Sequence, residues 1–520
     1  MRRPFAQPRS TITGSSYSAG IVFSLASFAA IGIITLLTSV LSARLYGISV
    51  IGQAALALAP VAIVTLLSTV REQPAMVREL AKLEPGHPRA TGLFLAVFAF
   101  SFALTLVVTV LGLVGCYFTF RGPLHHPGLL APAAVGLVGY LLIINTCWNL
   151  DGVFGAFRAG RELFAVRLHQ AVVYGALLTA LVTIMPTVWG LVLAFLGSWL
   201  TALVHRLALM RRVICWRVPV AELRAGFASL REIVTFGLKL TPGSLAVGLS
   251  EASGTWILAV TSSIDAVGSY SRAWSLASRL TELNWRITEM LLPTLVQHRH
   301  AGDQARFARV LTDSLRYAAF GLLLPASVGG GAAEAIMTIF GAGFGTAAGA
   351  LRILLFVPLL QTLTAIQGTA LMAYDRPLLT AFAQGVRLVV TIAAGVTLAA
   401  GLGVTGMALA MAAGAFAGFG ICLIVLRVRI ARPPLAKPHY RQLGGLIAAY
   451  VGGLLTSHAL EHAVPGSAGL LLALAGGSFA YVAIGVGVAG TTHHDRARLQ
   501  NALARLTRRH ITLLKSPGTA

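Results

Sequence analysis

The sequence predicts an all-α polytopic membrane protein of about fourteen transmembrane helices, arranged as two six-helix lobes followed by two extra helices. Three observations carry this. The 520 residues are 56% hydrophobic and only 11% charged, well below the quarter or so charged that is usual in soluble domains. Apolar runs of roughly 20 residues, enough to cross a hydrocarbon core of about 30 Å, recur from end to end. The net charge of +23, from 40 Lys+Arg against 17 Asp+Glu, falls mostly between those runs rather than in a basic domain.

Taken in order, the runs are 18–41, 51–70, 92–116, 131–153, 166–185, 187–208, 237–259, 266–294, 315–340, 351–373, 378–400, 402–426, 443–462 and 467–490. The first follows Arg2, Arg3 and Arg9 and superficially resembles a signal peptide. It is too long for one and lacks a convincing small-residue cleavage site, so it reads as a retained helix. If the N-terminus is inside, the inner segments collect 33 of the 40 basic residues and the outer loops only Arg44, Arg121 and Arg352. That asymmetry places both termini in the cytoplasm of a multi-pass protein in the cytoplasmic (inner) membrane. It also gives the excess charge a topological meaning, which removes the argument for a nucleic-acid partner.

A weak internal repeat divides the chain. Ile48 to Gly52 resembles Ile264 to Gly268 at an offset of 216. The same offset maps Leu163 and Ala165 onto Leu379 and Ala381, and Gly190 and Ala194 onto Gly406 and Ala410. Six spans per copy is an even number, so the copies share topology and are related by an axis along the membrane normal. The resulting units are an N-terminal lobe (1–210), a cytoplasmic linker (211–236) of amphipathic character, a C-terminal lobe (237–430), two extra helices (431–490) and a basic tail (491–520).

Ionisable side chains at membrane depth cost at least about 2.5–3.5 kcal/mol on insertion scales, so each needs a reason. The eighth run holds most of them. Arg272, Arg279 and Arg286 recur every seven residues, as do Glu282 and Glu289. With Ser275, their steps of three and four place them on one helical face. This face either lines a water-filled cationic cavity or forms a salt-bridge ladder packed against neighbours. Arg272 has no acidic partner one turn along, which the ladder alone leaves unexplained. Glu251 in the seventh run is either a proton- or cation-coupling carboxylate or a counter-ion for an eighth-run Arg. Arg387 in the eleventh run would face the same cavity. Arg44, just past the first run, reads equally as a gate residue or an interface anchor. Asp151 and Arg71-Glu72, near inner helix ends, read as groups that snorkel to water.

No residue pattern calls for covalent chemistry. There is no GxxxxGK[ST] loop, no HExxH and no GxSxG nucleophile elbow, so the chain is read as a non-enzyme without a catalytic residue or bound cofactor. Gly341 to Gly345 is read as a tight interhelical turn rather than a phosphate cradle. The four cysteines are far apart, and the pairs His125-His126 and His493-His494 read as solvated, so no metal site is expected.

Several short motifs resemble the oligosaccharide and polysaccharide flippases of bacteria, the Wzx-like branch of the multidrug/oligosaccharidyl-lipid/polysaccharide exporter superfamily. They are Ala43-Arg44-Leu45-Tyr46-Gly47 with Gly52, Val267-Gly268-Ser269-Tyr270 with Ala273, Leu292-Pro293, and Phe340-Gly341 with Phe344. The resemblance covers about 1–430, and the last two spans fit a fourteen-helix variant. It implies two lobes forming a V around a central cavity that opens alternately to each side. It further implies a lipid-linked oligosaccharide on a polyprenyl (di)phosphate as cargo, contact with membrane lipids, and coupling to a H+ or Na+ gradient or to membrane potential. Polymerase and glycosyltransferases of surface polysaccharide assembly are the implied partners. A lipid II flippase and a cation-coupled exporter are the alternatives within the superfamily, although an Arg stripe suits cationic cargo poorly. Arg71-Glu72-Gln73 departs from the apolar or Gly-containing stretch of many relatives, and Glu282 with Glu289 makes the cavity less purely cationic than the family pattern.

Overall fold

The computed structural model describes residues 17–429 and 440–488, apart from 71, 158, 212, 216, 217 and 465. Within these helices the side chains of 17–29, 236, 239, 240, 282–290, 429, 440, 441 and 488 lie outside the description. The described residues are helical almost throughout, with no strand among them. The helices are α1 (Tyr17–Leu67), α2 (Glu72–Leu80), α3 (Pro88–Arg121), α4 (Leu130–Gly139), α5 (Asn145–Ala156), α6 (Gly160–Ile184), α7 (Val188–Met210), α8 (Val220–Thr261), α9 (Ile264–Arg279), α10 (Glu282–His300), α11 (Gln304–Gly331), α12 (Ala333–Thr338), α13 (Ala348–Leu354), α14 (Val357–Ala373), α15 (Pro377–Arg429), α16 (Tyr440–Ala463) and α17 (Ser467–Val488). In a bilayer every backbone amide must be bonded within the chain, and helices do this segment by segment.

Two of these helices contain two expected spans each. The α1 helix turns at Gly47 (φ 78, ψ 169) and α15 at Gly403 (φ 54, ψ −129). Both conformations are closed to residues with a Cβ. Nine helical segments among the described residues are long and apolar enough to cross a membrane, fewer than the fourteen expected. The runs expected at 237–259, 266–294 and 315–340 are helical, as α8, α9 with α10, and α11, but they are not among those nine. Local signals set several helix starts. Ser263 caps α9 by accepting from the Ala266 amide, Asp303 caps α11 by accepting from Arg306, and Pro88 opens α3 where no amide hydrogen is needed.

The expected linker is helical from Val220 and continues without a break into the seventh run as one helix, α8, with Pro242 inside it. Its first turns pack on α3. A Cβ on Gly92 would collide with the Glu222 carbonyl, and one on Gly226 with the backbone of Gly92. Such close approach is how helices gain contact in lipid, where there is no hydrophobic drive between them.

Buried apolar residues fall into three clusters whose arrangement positions the site. One runs through both lobes, from Ala43, Tyr46 and Ile51 through Val267 and Tyr270 to Phe340, Phe344 and Met411. It gathers the helix ends predicted to face outward. The other two lie at the predicted inner ends, the first including the linker part of α8. Met76, Leu93, Phe154 and Ile233 mark the N-terminal one, and Leu295, Phe307, Leu371 and Leu426 the C-terminal one. The lobes share one core at one end and keep separate cores at the other.

Candidate functional site

The shared end is sealed by the two copies of the repeat. A Cβ on Gly52 would overlap the Ile264 carbonyl oxygen, and a Cβ on Gly268 would overlap the Ile48 carbonyl oxygen. The offset of 216 maps 48 onto 264 and 52 onto 268, so the contact is reciprocal, as around a two-fold axis. The neighbouring motif serves the same seam. Ala43 is buried, Tyr46 donates its hydroxyl to the Leu178 carbonyl at 3.3 Å, and Gly47 makes the turn. Arg44 lies on the surface and reaches across to the C-terminal lobe, its Nε donating to the Ile339 carbonyl at 2.6 Å. Ile339 precedes Phe340 and Phe344, both fully buried with ring centroids 6.1 Å apart. Between them Gly341 has φ 135, followed by a turn of 3₁₀ helix. The Gly-rich loop is thus a tight turn, as expected, and Arg44 is a bridge between lobes.

Below this seam lies Arg272 on α9. Its Nη1 donates to the Ser39 hydroxyl of α1 at 2.6 Å, while its buried Nε has no hydrogen-bond partner. Arg272 therefore finds its partner across the lobe boundary, which is why no acid one turn away was needed. Arg279 ends α9, exposed and engaged with its surroundings. Glu282, Arg286 and Glu289 belong to α10, and their side chains lie outside the described residues.

The eighth run is not one helix, which corrects the expectation of a single continuous face through 289. The α9 helix stops at Arg279 and α10 begins at Glu282. Between them Leu280 and Thr281 form tighter bonds to Ala277 and Ser278. The cause is legible in the composition. Ser271, Ser275, Ser278 and Thr281 each donate a hydroxyl to the carbonyl three residues back. Such back-bonding competes with the α-helical ladder and bends it.

Glu251 and Arg387 form a separate pair within the C-terminal lobe. Arg387 Nη2 lies 3.6 Å from Glu251 Oε1, and Gln361 Nε2 donates to the same oxygen at 3.2 Å. Next to it the Ser250 hydroxyl bonds the Thr391 hydroxyl at 3.2 Å, tying α8 to α15. The counter-ion of Glu251 is therefore Arg387 of α15, whereas the sequence offered an Arg of the eighth run. Arg387 is 3% exposed and the Glu251 side chain 34%, so the acid is the less buried member of the pair. The approach depends on a small-residue crossing inside α15, since a Cβ on Gly418 would press on Arg387 Cβ at 3.1 Å.

Two charged sites differ from the sequence expectation. Arg206, one of the 33 basic residues that the topology assigns to inner segments, sits in α7 at 1% exposure. It grips Asp151 of α5 with two bonds, of 2.7 and 3.2 Å, and stacks over Trp199 at 5.7 Å. Asp151 thus does not snorkel; it pays for a buried guanidinium. Glu72 is also buried, accepting from the Val70 amide at 2.8 Å and the Thr69 hydroxyl at 3.2 Å to start α2. Arg71 lies outside the described residues. A third grouping lies outside the sequence expectation. His458, Glu461 and His462 come together near the end of α16, and the spacing His-x-x-Glu-His was the available signal.

Comparison with known proteins agrees with the short motifs. Residues 159–349 match the family model described as "Polysaccharide biosynthesis protein". No curated protein matches the chain in sequence. Among solved structures, the lipid II flippase MurJ in an inward closed conformation superposes with a TM-score of 0.63 at 12% identity, covering 90% of this chain and 98% of that one. A MATE transporter in complex with MaD3S gives 0.53 at 16% identity, covering 80% and 97%. A MOP superfamily transporter from Pyrococcus furiosus gives 0.56 at 16%, covering 78% and 95%. At these identities the likeness is one of fold, which the chain shares with these three proteins. The family match and the apolar helices together point to a multi-pass membrane protein of polysaccharide biosynthesis.

Proposed function

We propose that the chain is a flippase that carries a polyprenyl-diphosphate-linked oligosaccharide across the cytoplasmic membrane by alternating access, for cell-surface polysaccharide assembly. The observation that carries this reading is the split core: the lobes are fused at one end by the Gly52 and Gly268 contacts and keep separate cores at the other. Packed interfaces have discrete arrangements, so a seam of backbone contacts and apolar packing, bridged by Arg44 and Arg272, is suited to open while the opposite end closes.

Arg272 and Arg279 are assigned to the cargo's diphosphate. A guanidinium presents several donors in a fixed fork that matches phosphate oxygens. Arg272 holds such donors at the lobe boundary, with one nitrogen still unpartnered. Arg286 extends the same cationic role along α10, with Glu282 and Glu289 as local counter-charges. Glu251, paired with Arg387 yet partly accessible, is assigned to coupling with a H+ or Na+ gradient. The proteins on either side in this scheme are the glycosyltransferases that build the lipid-linked unit and the polymerase that consumes it.

The test is complementation. Expressed in cells lacking their polysaccharide flippase, the chain should restore surface polymer. Arg272→Ala and Arg279→Ala should abolish it with the protein present at wild-type level. Normal polymer from the double variant would remove the cargo assignment. The MurJ likeness favours a second reading, a lipid II flippase. Rescue of cells depleted of that activity, without restored polysaccharide, would establish this reading instead.

A further inference from the structure

We propose that His458, Glu461 and His462 bind a divalent transition-metal ion of the zinc type where α16 meets the C-terminal lobe. The two histidines are one helical turn apart with the carboxylate between them, so all three project from one face. Their ligand atoms lie within 4.8 Å of one another, and the imidazole centroids are 4.2 Å apart.

Two further features prepare the set for a cation. Glu461 Oε1 accepts the Ala335 amide of α12 at 2.6 Å, but its Oε2 is buried with no hydrogen-bond partner. A buried carboxylate oxygen without a donor is costly, and a metal ion satisfies it directly. His462 Nδ1 lies 2.9 Å from the His458 carbonyl oxygen. A carbonyl only accepts, so in the neutral ring Nδ1 carries the hydrogen and Nε2 is left with its lone pair. A bond of this kind is what orients metal-bound imidazoles.

The helix beneath is firmly seated. Ser327 donates to the Tyr450 carbonyl at 2.7 Å and Ser457 to the Val328 carbonyl at 2.9 Å. Both imidazoles are exposed, so they can turn inward to the roughly 2.0–2.1 Å bonds that zinc needs. Two nitrogens and one carboxylate oxygen leave a fourth position for water. This donor set selects zinc, copper or nickel over magnesium and calcium. The bound ion would join α16 to α12 through Glu461 and so hold the extra helix pair against the lobe.

The test uses the full-length chain in detergent, free of any histidine tag, with Zn²⁺ as the probe. Calorimetric titration should show one tight site that His458→Ala/His462→Ala removes. Glu461→Gln keeps an oxygen for the Ala335 amide but loses the charge, and should bind at least tenfold more weakly. Zn²⁺ should raise the melting temperature of the wild type and leave that of the double variant unchanged. Equal zinc stoichiometry and affinity in wild type and a monodisperse double variant would overturn the site. Because the readout is binding and not transport, its failure leaves the flippase reading untouched.

Discussion

Gly52 and Gly268 are symmetry mates that each make room for the other copy's backbone. Gly52 lies against the carbonyl of Ile264, and Gly268 against the carbonyl of Ile48. A single duplicated five-residue segment therefore supplies both halves of one seam. Because the contact is backbone on backbone, no side-chain rearrangement can absorb an added methyl group.

Gly52→Ala and Gly268→Ala should each push α1 and α9 apart. Overpacking of this kind costs about 1–3 kcal/mol. Once either methyl has separated the helices, the second meets less resistance, so the double variant should fall short of the sum of the two. Thermal unfolding in detergent across the four-member cycle measures this. Strict additivity would mean that the two contacts are independent.

Arg44 should affect conformation more than stability. Its hydrogen bond to Ile339 is exposed, so Arg44→Ala should cost under about 1 kcal/mol. It should nevertheless favour separation of the lobes at that end. Spin labels on cysteines introduced at Leu45 and Gly343 would report a longer mean distance in the variant. An unchanged distance distribution would exclude a gating role.

The seam itself was legible in part. The offset of 216 announced a repeat, and Arg44, Gly47 and Gly52 stood out as a motif. That the copies meet was not legible, because apolar sequence carries no record of which helices touch. The break at Leu280 and Thr281 was hidden by the regular spacing of Arg272, Arg279 and Arg286, while the weaker signal of repeated Ser and Thr was available. Arg206 was misplaced because assigning charges to loops treats every Arg near a helix end as solvated. Its partner Asp151 lies 55 residues away on another helix. His458 and His462 are not adjacent in sequence, and only their spacing of four, the helical one, brings them together.

The Glu251–Arg387 pair makes a prediction that separates coupling from scaffolding. Glu251→Gln retains the group that Gln361 and Arg387 bond, but removes the titratable carboxylate. If Glu251 couples transport to a gradient, the variant should fold at wild-type yield and lose gradient-driven restoration of surface polymer. If the carboxylate serves only to neutralise Arg387, Glu251→Gln should instead lose folded protein, and Arg387→Gln in the same chain should recover both yield and polymer. Recovery of polymer in that double variant would refute the coupling assignment.

The Asp151–Arg206 pair should govern stability of the N-terminal lobe. Arg206 is almost wholly buried, with Nη1 lacking any hydrogen-bond partner and Asp151 supplying both bonds to Nε and Nη2. Arg167 approaches the same carboxylate more loosely, at 3.8 Å, from an exposed position. Removing the acid leaves an uncompensated charge in a low-dielectric interior, a loss that runs to about 3–5 kcal/mol for buried pairs. Asp151→Asn should therefore lower the melting temperature sharply, whereas Arg167→Ala should change it little. Arg206→Met, which deletes the buried charge and keeps the apolar stem packed near Trp199, should be milder than Asp151→Asn. Combined with Asp151→Leu it should return most of the lost stability, since a well-packed apolar pair often matches a buried ion pair. If Asp151→Asn instead melts like the wild type, water must reach Arg206, and its burial between α5 and α7 does not isolate it.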